Sequence, residues 1–150
     1  MYLHEPNGYH CPFCAIVAGA EDPRTVVWQD QHSIAVIGRF HHHKNPGALL
    51  LCSREHFENI YVLPEVVGAH LFRISKVLSI ALKTALACEG VSTRQHNEPA
   101  GSQEVWHYHQ HIVPRWLGDN FYVERGSLMP VEKRVEYAER IKVALPANAP

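Results

Sequence analysis

The chain has 150 residues, and 14 Lys+Arg against 15 Asp+Glu give a net charge of −1 with its 12 histidines neutral. A near-neutral chain lacks the broad basic footprint that non-specific nucleic-acid or anionic-membrane binding requires. The length suits one domain over residues 1–150, and the hydrophobic fraction of 46% excludes a disordered chain.

The N-terminus, MYLHEPNGYHCPFC, has no basic run leading into an apolar stretch, so no secretory signal is expected. The apolar run Ala48–Cys52 is far too short to span a bilayer. A cytoplasmic protein without a membrane partner is the expectation. Cys11 and Cys14 form a C-x-x-C pair, whereas Cys52 and Cys88 sit in apolar segments and read as small core residues. Ala15–Ala18 reads as a short helical piece broken by the Gly19–Pro23 turn. Thr25–Trp28 and Ser33–Ile37 read as a hairpin. Arg39–Gly47 is a polar loop that includes His41, His42 and His43. Ala48–Cys52 has the continuous apolar character of a buried strand, and Ser53 suits the N-cap of a helical turn carrying His56.

The strongest periodicity predicts a helix from about Pro64 to Glu89, with Val67, Leu71, Ile74, Leu78, Leu82 and Ala85 on one face. Pro64 suits its first position and Gly90 its C-terminal cap. Val91–Gln95 reads as a strand, His96–Gln103 as a loop and Val105–Val113 as a strand. A C-terminal helix starts at Pro130 and carries Val131, Val135, Ala138, Ile141 and Leu145 on one face. Together these elements predict an α+β fold with a largely antiparallel sheet.

The chemistry concentrates in Val105-Trp106-His107-Tyr108-His109-Gln110-His111-Ile112-Val113. Alternate side chains of a strand share a face, so His107, His109 and His111 are expected to form a row at roughly 6.5–7 Å intervals. Three imidazoles in a row are poor packing material. They suit either a metal site or chemistry that uses neutral imidazole.

The sequence resembles the histidine triad superfamily, whose His-x-His-x-His signature stands here as H-Y-H-Q-H-I-V. The resemblance extends over about residues 9–145, through C-P-F-C, R-E-H-F-E-N at 54–59, A-G-S-Q-E-V before the triad, P-R-W-x-G-D after it and the C-terminal helix near P-V-E-K-R. It implies a five-stranded antiparallel sheet with one long helix and a C-terminal helix, paired as a homodimer. The activity it implies is that of the zinc-containing bacterial hydrolase type. A small-molecule nucleotide, either a phosphoramidate or a (di)nucleotide polyphosphate, would be cleaved at its α-phosphate through a nucleotidyl-histidine.

In that pattern His109 is the nucleophile, a role open to histidine. His111 would contact phosphate oxygens and, if protonated, offset developing charge. Gln103 would bind the phosphate or leaving group, with His96 and Asn97 beside it on the substrate loop. Cys11, Cys14, His56 and His107 correspond to the zinc ligands. Two thiolates and two imidazoles complete a tetrahedral zinc with no open position, so the metal would be structural. A redox reading of C-P-F-C would need a buried strand just before Cys11, and only ten mostly polar residues precede it.

The match departs from the family at the nucleoside end. Ile37-Gly38-Arg39-Phe40 lacks the acidic residue that usually binds ribose hydroxyls, Ala48 replaces a common histidine, and His96 replaces the first of two asparagines. A base preference is therefore not assigned. The alternative reading is a nucleotide-binding regulatory protein with weak or vestigial catalysis. Arg115, in the P-R pair after the triad, fits a structural salt bridge or a phosphate contact equally well.

Overall fold

The β-branched pattern at 26–37 folds as the expected hairpin, β1 (Val26–Gln29) against β2 (Ser33–Ile37), after a short helix α1 (Pro12–Val17). In the computed structural model, which describes residues 2–147, the chain continues through β3 (Phe40–His41), β4 (Leu49–Ser53), α2 (Glu65–Leu86), β5 (Gly90–Gln95), β6 (His109–Arg115), β7 (Ser127–Leu128) and α3 (Val131–Val143). Position 1 and positions 148–150 of the expected domain span lie outside the described residues. Five strands form one antiparallel sheet in the order β1-β2-β4-β6-β5, and β3 pairs with β7 in a separate two-stranded ribbon. This is the α+β architecture expected from the sequence.

The strand period of two divides the sheet into two faces. On one, Ala35, Ile37, Leu49, Leu51 and Ile112 meet Leu71, Ile74, Leu78 and Leu82 of α2 with Ala138 and Ile141 of α3. On the other, Ile34, Val36 and Cys52 pack under Phe13 of α1. Burial on both sides explains why β2 and β4 read as unbroken apolar runs. Cys52 and Cys88 are buried, as expected for core residues. Helix α1 is only six residues long, so it leaves part of the β4–β6–β5 surface uncovered, and the site lies there.

Four local expectations are corrected. Helix α2 ends at Leu86, short of Glu89, because Ala87 takes the left-handed cap (φ 53°) with its N–H on the Lys83 carbonyl. Gly90 instead opens β5. Ser53 caps no helical turn; it remains in β4, opposite Ser33. The run His41–His43 is not a solvated loop throughout: His41 belongs to the ribbon, and the His42 ring lies 4.4 Å from that of Phe121. Finally, β6 begins at His109. Its partner β4 ends at Ser53, His109 pairs with Cys52, and the Tyr108 N–H turns to the Phe57 carbonyl. His107 therefore stands outside the ladder and shares no strand row with His109 and His111.

Candidate active site and metal centre

The bend before β6 sends His107 to the N-terminal C-x-x-C. Cys11 caps α1, its Sγ accepting from the Cys14 N–H, and the single helical turn presents both sulfurs on one side. Cys11 Sγ lies 3.3 Å and Cys14 Sγ 3.7 Å from His107 Nδ1, and Cys14 Sγ lies 3.2 Å from His56 Nδ1. The four ligand atoms all fall within 4.8 Å of one another. Ligand bonds of roughly 2.0–2.3 Å around a tetrahedral zinc put neighbouring donors about 3.3–3.8 Å apart. The donor set therefore fits that ion and suits a soft, four-coordinate metal.

The rings of both histidines are held for this role from behind. His107 Nε2–H donates to the Ser53 carbonyl at 2.9 Å, and His56 Nε2 lies 2.8 Å from the Glu5 carboxylate. Each arrangement leaves Nδ1 facing the other donors, a pattern that fixes tautomer and orientation in metal sites. Burial pushes His107 down to about 4, so its ring is neutral, the form that ligates. Burial and the adjacent Cys11 push the Cys14 thiol up to about 11, a cost that a cation among the donors reverses.

His107 also orients His109. Its carbonyl accepts from His109 Nδ1 at 2.7 Å. A carbonyl can only accept, so the proton is on Nδ1 and the lone pair on Nε2, which has no partner among the described residues. Phe13 covers the His109 ring at a centroid distance of 4.7 Å. Burial lowers the pKa of His109 and keeps it in the nucleophilic neutral form. His111 lies next along the same face, 5.0 Å ring to ring. Burial, with His109 and Arg94 nearby, pushes it down to about 3. Without an anion beside it, the His111 ring therefore favours its neutral form, which can offer one N–H.

Two cavities open from this face. One, of about 320 Å³, is lined by His109, His111, His96, Gln103, Ser102 and Arg94, among others. The second, of about 390 Å³, runs past Phe13, Ile16, Val36, Leu50 and Phe40 to Gly38 and Ala48. Phe13, Leu50, Glu104, Val105 and His111 belong to both walls.

The remaining sequence candidates divide. Gln103 lines the first cavity, but its buried amide is engaged with main chain: it donates to the Glu58 and Val105 carbonyls and accepts from the Glu98 N–H. His96 lines the same cavity, with Nδ1 3.0 Å from the Ser102 carbonyl. Asn97 is not brought to the cavity wall; it accepts from Ile60 N–H and exchanges bonds with Gln95. Arg115 is committed to Asp119 at 2.6 and 2.8 Å and to Ser92.

Sequence reasoning missed Glu21, which the turn after α1 brings to the second cavity. Its buried carboxylate is held by Arg39 Nε at 2.9 Å and Arg134 Nη2 at 3.1 Å, and these arginines keep its pKa low. Nothing local marked Glu21, because its partners lie 18 and 113 positions away. Phe13 and Ser53 were missed for the same reason.

A HIT domain family model matches residues 19–116. The chain belongs to the HIT family. A HIT-like protein of Saccharolobus solfataricus is 31% identical over 135 residues, covering 90% of this chain and 94% of that protein. Among solved structures, a Hit-like protein from Bartonella henselae described as involved in cell-cycle regulation superposes with a TM-score of 0.80 at 25% identity, covering 90% of this chain and 96% of that one. A zinc-bound histidine triad family protein from Mycobacterium smegmatis gives a TM-score of 0.76 at 24% identity, with coverage of 89% and 91%. In this HIT domain no helix among the described residues is long and apolar enough to cross a membrane.

Proposed function

We propose that this HIT domain hydrolyses nucleotides at the α-phosphorus, with His109 as nucleophile and a nucleotidyl-histidine as intermediate. The observation that carries the reading is the 2.7 Å bond from His109 Nδ1–H to the His107 carbonyl, which aims an unprotonated Nε2 into the cavity. In the first step the Nε2 lone pair forms a bond to phosphorus, and the bond from phosphorus to the leaving group breaks with its electron pair. Water then attacks the same phosphorus, the P–N bond breaks, and its electrons return to Nε2. His111 supplies a neutral N–H to a phosphate oxygen. Gln103 braces the loop that forms the outer wall. The apolar cavity beside His111 receives the nucleoside.

Zinc bound by Cys11, Cys14, His56 and His107 supplies a structural cross-link between the N-terminal segment, the 54–59 loop and the triad. The chain's own contribution is the His107 backbone, whose carbonyl orients His109. A homodimer is part of the same proposal. Strand β5 is a sheet edge, and α2 presents exposed Phe72 and Ile80 beside it.

The test is rapid quenching of purified protein with nucleoside phosphoramidates and dinucleoside polyphosphates, followed by mass mapping. The expected result is a nucleotidyl adduct on His109 and released mononucleotide, both abolished in His109→Ala. Turnover that survives in His109→Ala would overturn the assignment.

A further inference from the structure

The two cavities meet at His111 but differ in chemistry. The nucleoside end is largely apolar, and its buried carboxylate, Glu21, is already engaged by two arginines. The other end runs toward β5, away from the nucleoside slot. With the α-phosphate at His109 and His111, that end is the space left for the leaving group. This assignment rests on the function proposed above.

Arg94 stands at that end. It lies directly opposite His111 in the β5–β6 ladder, so both side chains belong to the same face. Among the described residues it is the only Lys or Arg on the wall of the His109 cavity. Its Nε is buried and has no hydrogen-bond partner, and it forms no ion pair among the described residues. Arg115 offers the contrast. Both guanidinium carbons lie 4.7 Å from the centre of the Phe121 ring, yet Arg115 is neutralised by Asp119 at 2.6 Å, whereas Arg94 has no such carboxylate. The ring holds the Arg94 guanidinium by a cation–π contact without using its N–H groups. The one carboxylate on the wall, Glu104, is exposed and screened by solvent. Arg94 as a whole is half-buried on that wall, where its positive charge has no carboxylate partner among the described residues and favours an anion in the cavity.

We propose that Arg94 binds the leaving group, and that the substrates this site selects join the nucleotidyl phosphorus through oxygen to a further phosphate. Attack by His109 Nε2 then breaks the bond from the α-phosphorus to the bridging oxygen. The electron pair leaves on that oxygen, and the added negative charge of the departing phosphate falls beside Arg94. Such a group departs as an anion without needing a proton. An amine departing from a phosphoramidate brings no such charge to Arg94 and needs a proton on its nitrogen. The inferred class is therefore nucleoside polyphosphates and dinucleoside polyphosphates, ahead of phosphoramidates.

The experiment measures kcat/KM for wild type, Arg94→Gln and Arg94→Lys on a matched pair carrying the same base: a dinucleoside polyphosphate and a nucleoside phosphoramidate. The polyphosphate-to-phosphoramidate ratio is expected to fall roughly 10–100-fold in Arg94→Gln, the scale of a lost charge-assisted bond, and to be largely retained in Arg94→Lys. A second arm titrates nucleoside triphosphate and monophosphate into the His109→Ala protein with and without Arg94→Gln. The triphosphate preference is expected to shrink by a similar factor, and melting curves confirm that each variant is folded. Ratios unchanged by Arg94→Gln in both arms would overturn the proposal. Absence of turnover by wild type on either substrate would refute hydrolysis, while the binding arm would still decide the role of Arg94.

Discussion

Replacing Gln103 with Ala separates two jobs that one side chain could hold at this site. Gln103 is 4% exposed, and its amide donates to the Glu58 carbonyl at 2.6 Å and the Val105 carbonyl at 3.0 Å while accepting from the Glu98 N–H at 2.9 Å. It thus ties together the 54–59 loop, the start of the 98–105 loop and its end. Three net hydrogen bonds at about 0.5–1.5 kcal/mol each amount to about 2–4 kcal/mol. The Glu98 backbone raises the stakes. Its φ of 60° and ψ of 164° lie in a region that is essentially glycine's, and the bond to Gln103 holds it there. For a domain of this size each kcal/mol shifts Tm by about 2–4 °C, so Gln103→Ala is expected to melt about 5–15 °C lower. Scanning calorimetry of the zinc-loaded protein reads this directly, with kcat/KM measured in parallel. A variant whose Tm is unchanged while kcat/KM falls would refute the bracing argument and make the amide a direct substrate ligand.

Four further outcomes follow from the structure. A strong chelator should remove stoichiometric zinc and lower Tm, and Cys14→Ser should fail to retain the metal. Glu5→Gln, which weakens the hold on His56 Nε2, should reduce zinc affinity about 10–100-fold in competition titrations. Stability should fall on acidification, because His111 titrates near 3 when folded and near its ordinary value of 6.5 when unfolded. Between those values the unfolded chain binds the extra proton, so the stabilisation is complete above about 6.5 and is lost toward 3. Urea unfolding of wild type between pH 7.5 and 5 should show this slope, shallower in His111→Gln. Gly47→Ala should cost about 1–3 kcal/mol by the same assay. Its φ is +82°, and a Cβ there would stand 2.9 Å from Leu86 Cδ1.

By itself, the sequence determined the element types and the order of the triad. Local pattern is enough for these. The apolar run in Ser33–Ile37, the three-and-four spacing from Val67 to Ala85 and the pair Cys11/Cys14 are all short-range signals. It also showed that no acid occurs at 37–40.

Only the tertiary structure decided how the triad divides. His107 leaves the strand because β4 ends at Ser53 and the Phe57 carbonyl takes the next N–H. One histidine can therefore face the metal donors with its ring while its carbonyl orients the next. Tertiary structure also decided that the pKa of His111 is lowered, since burial is a property of the packed site. It likewise set which arginine stays free: Arg115 and Arg94 sit against one aromatic ring, and Asp119 reaches only Arg115. Ion pairing and desolvation depend on residues far apart in the chain, and no spacing rule along the sequence carries that information.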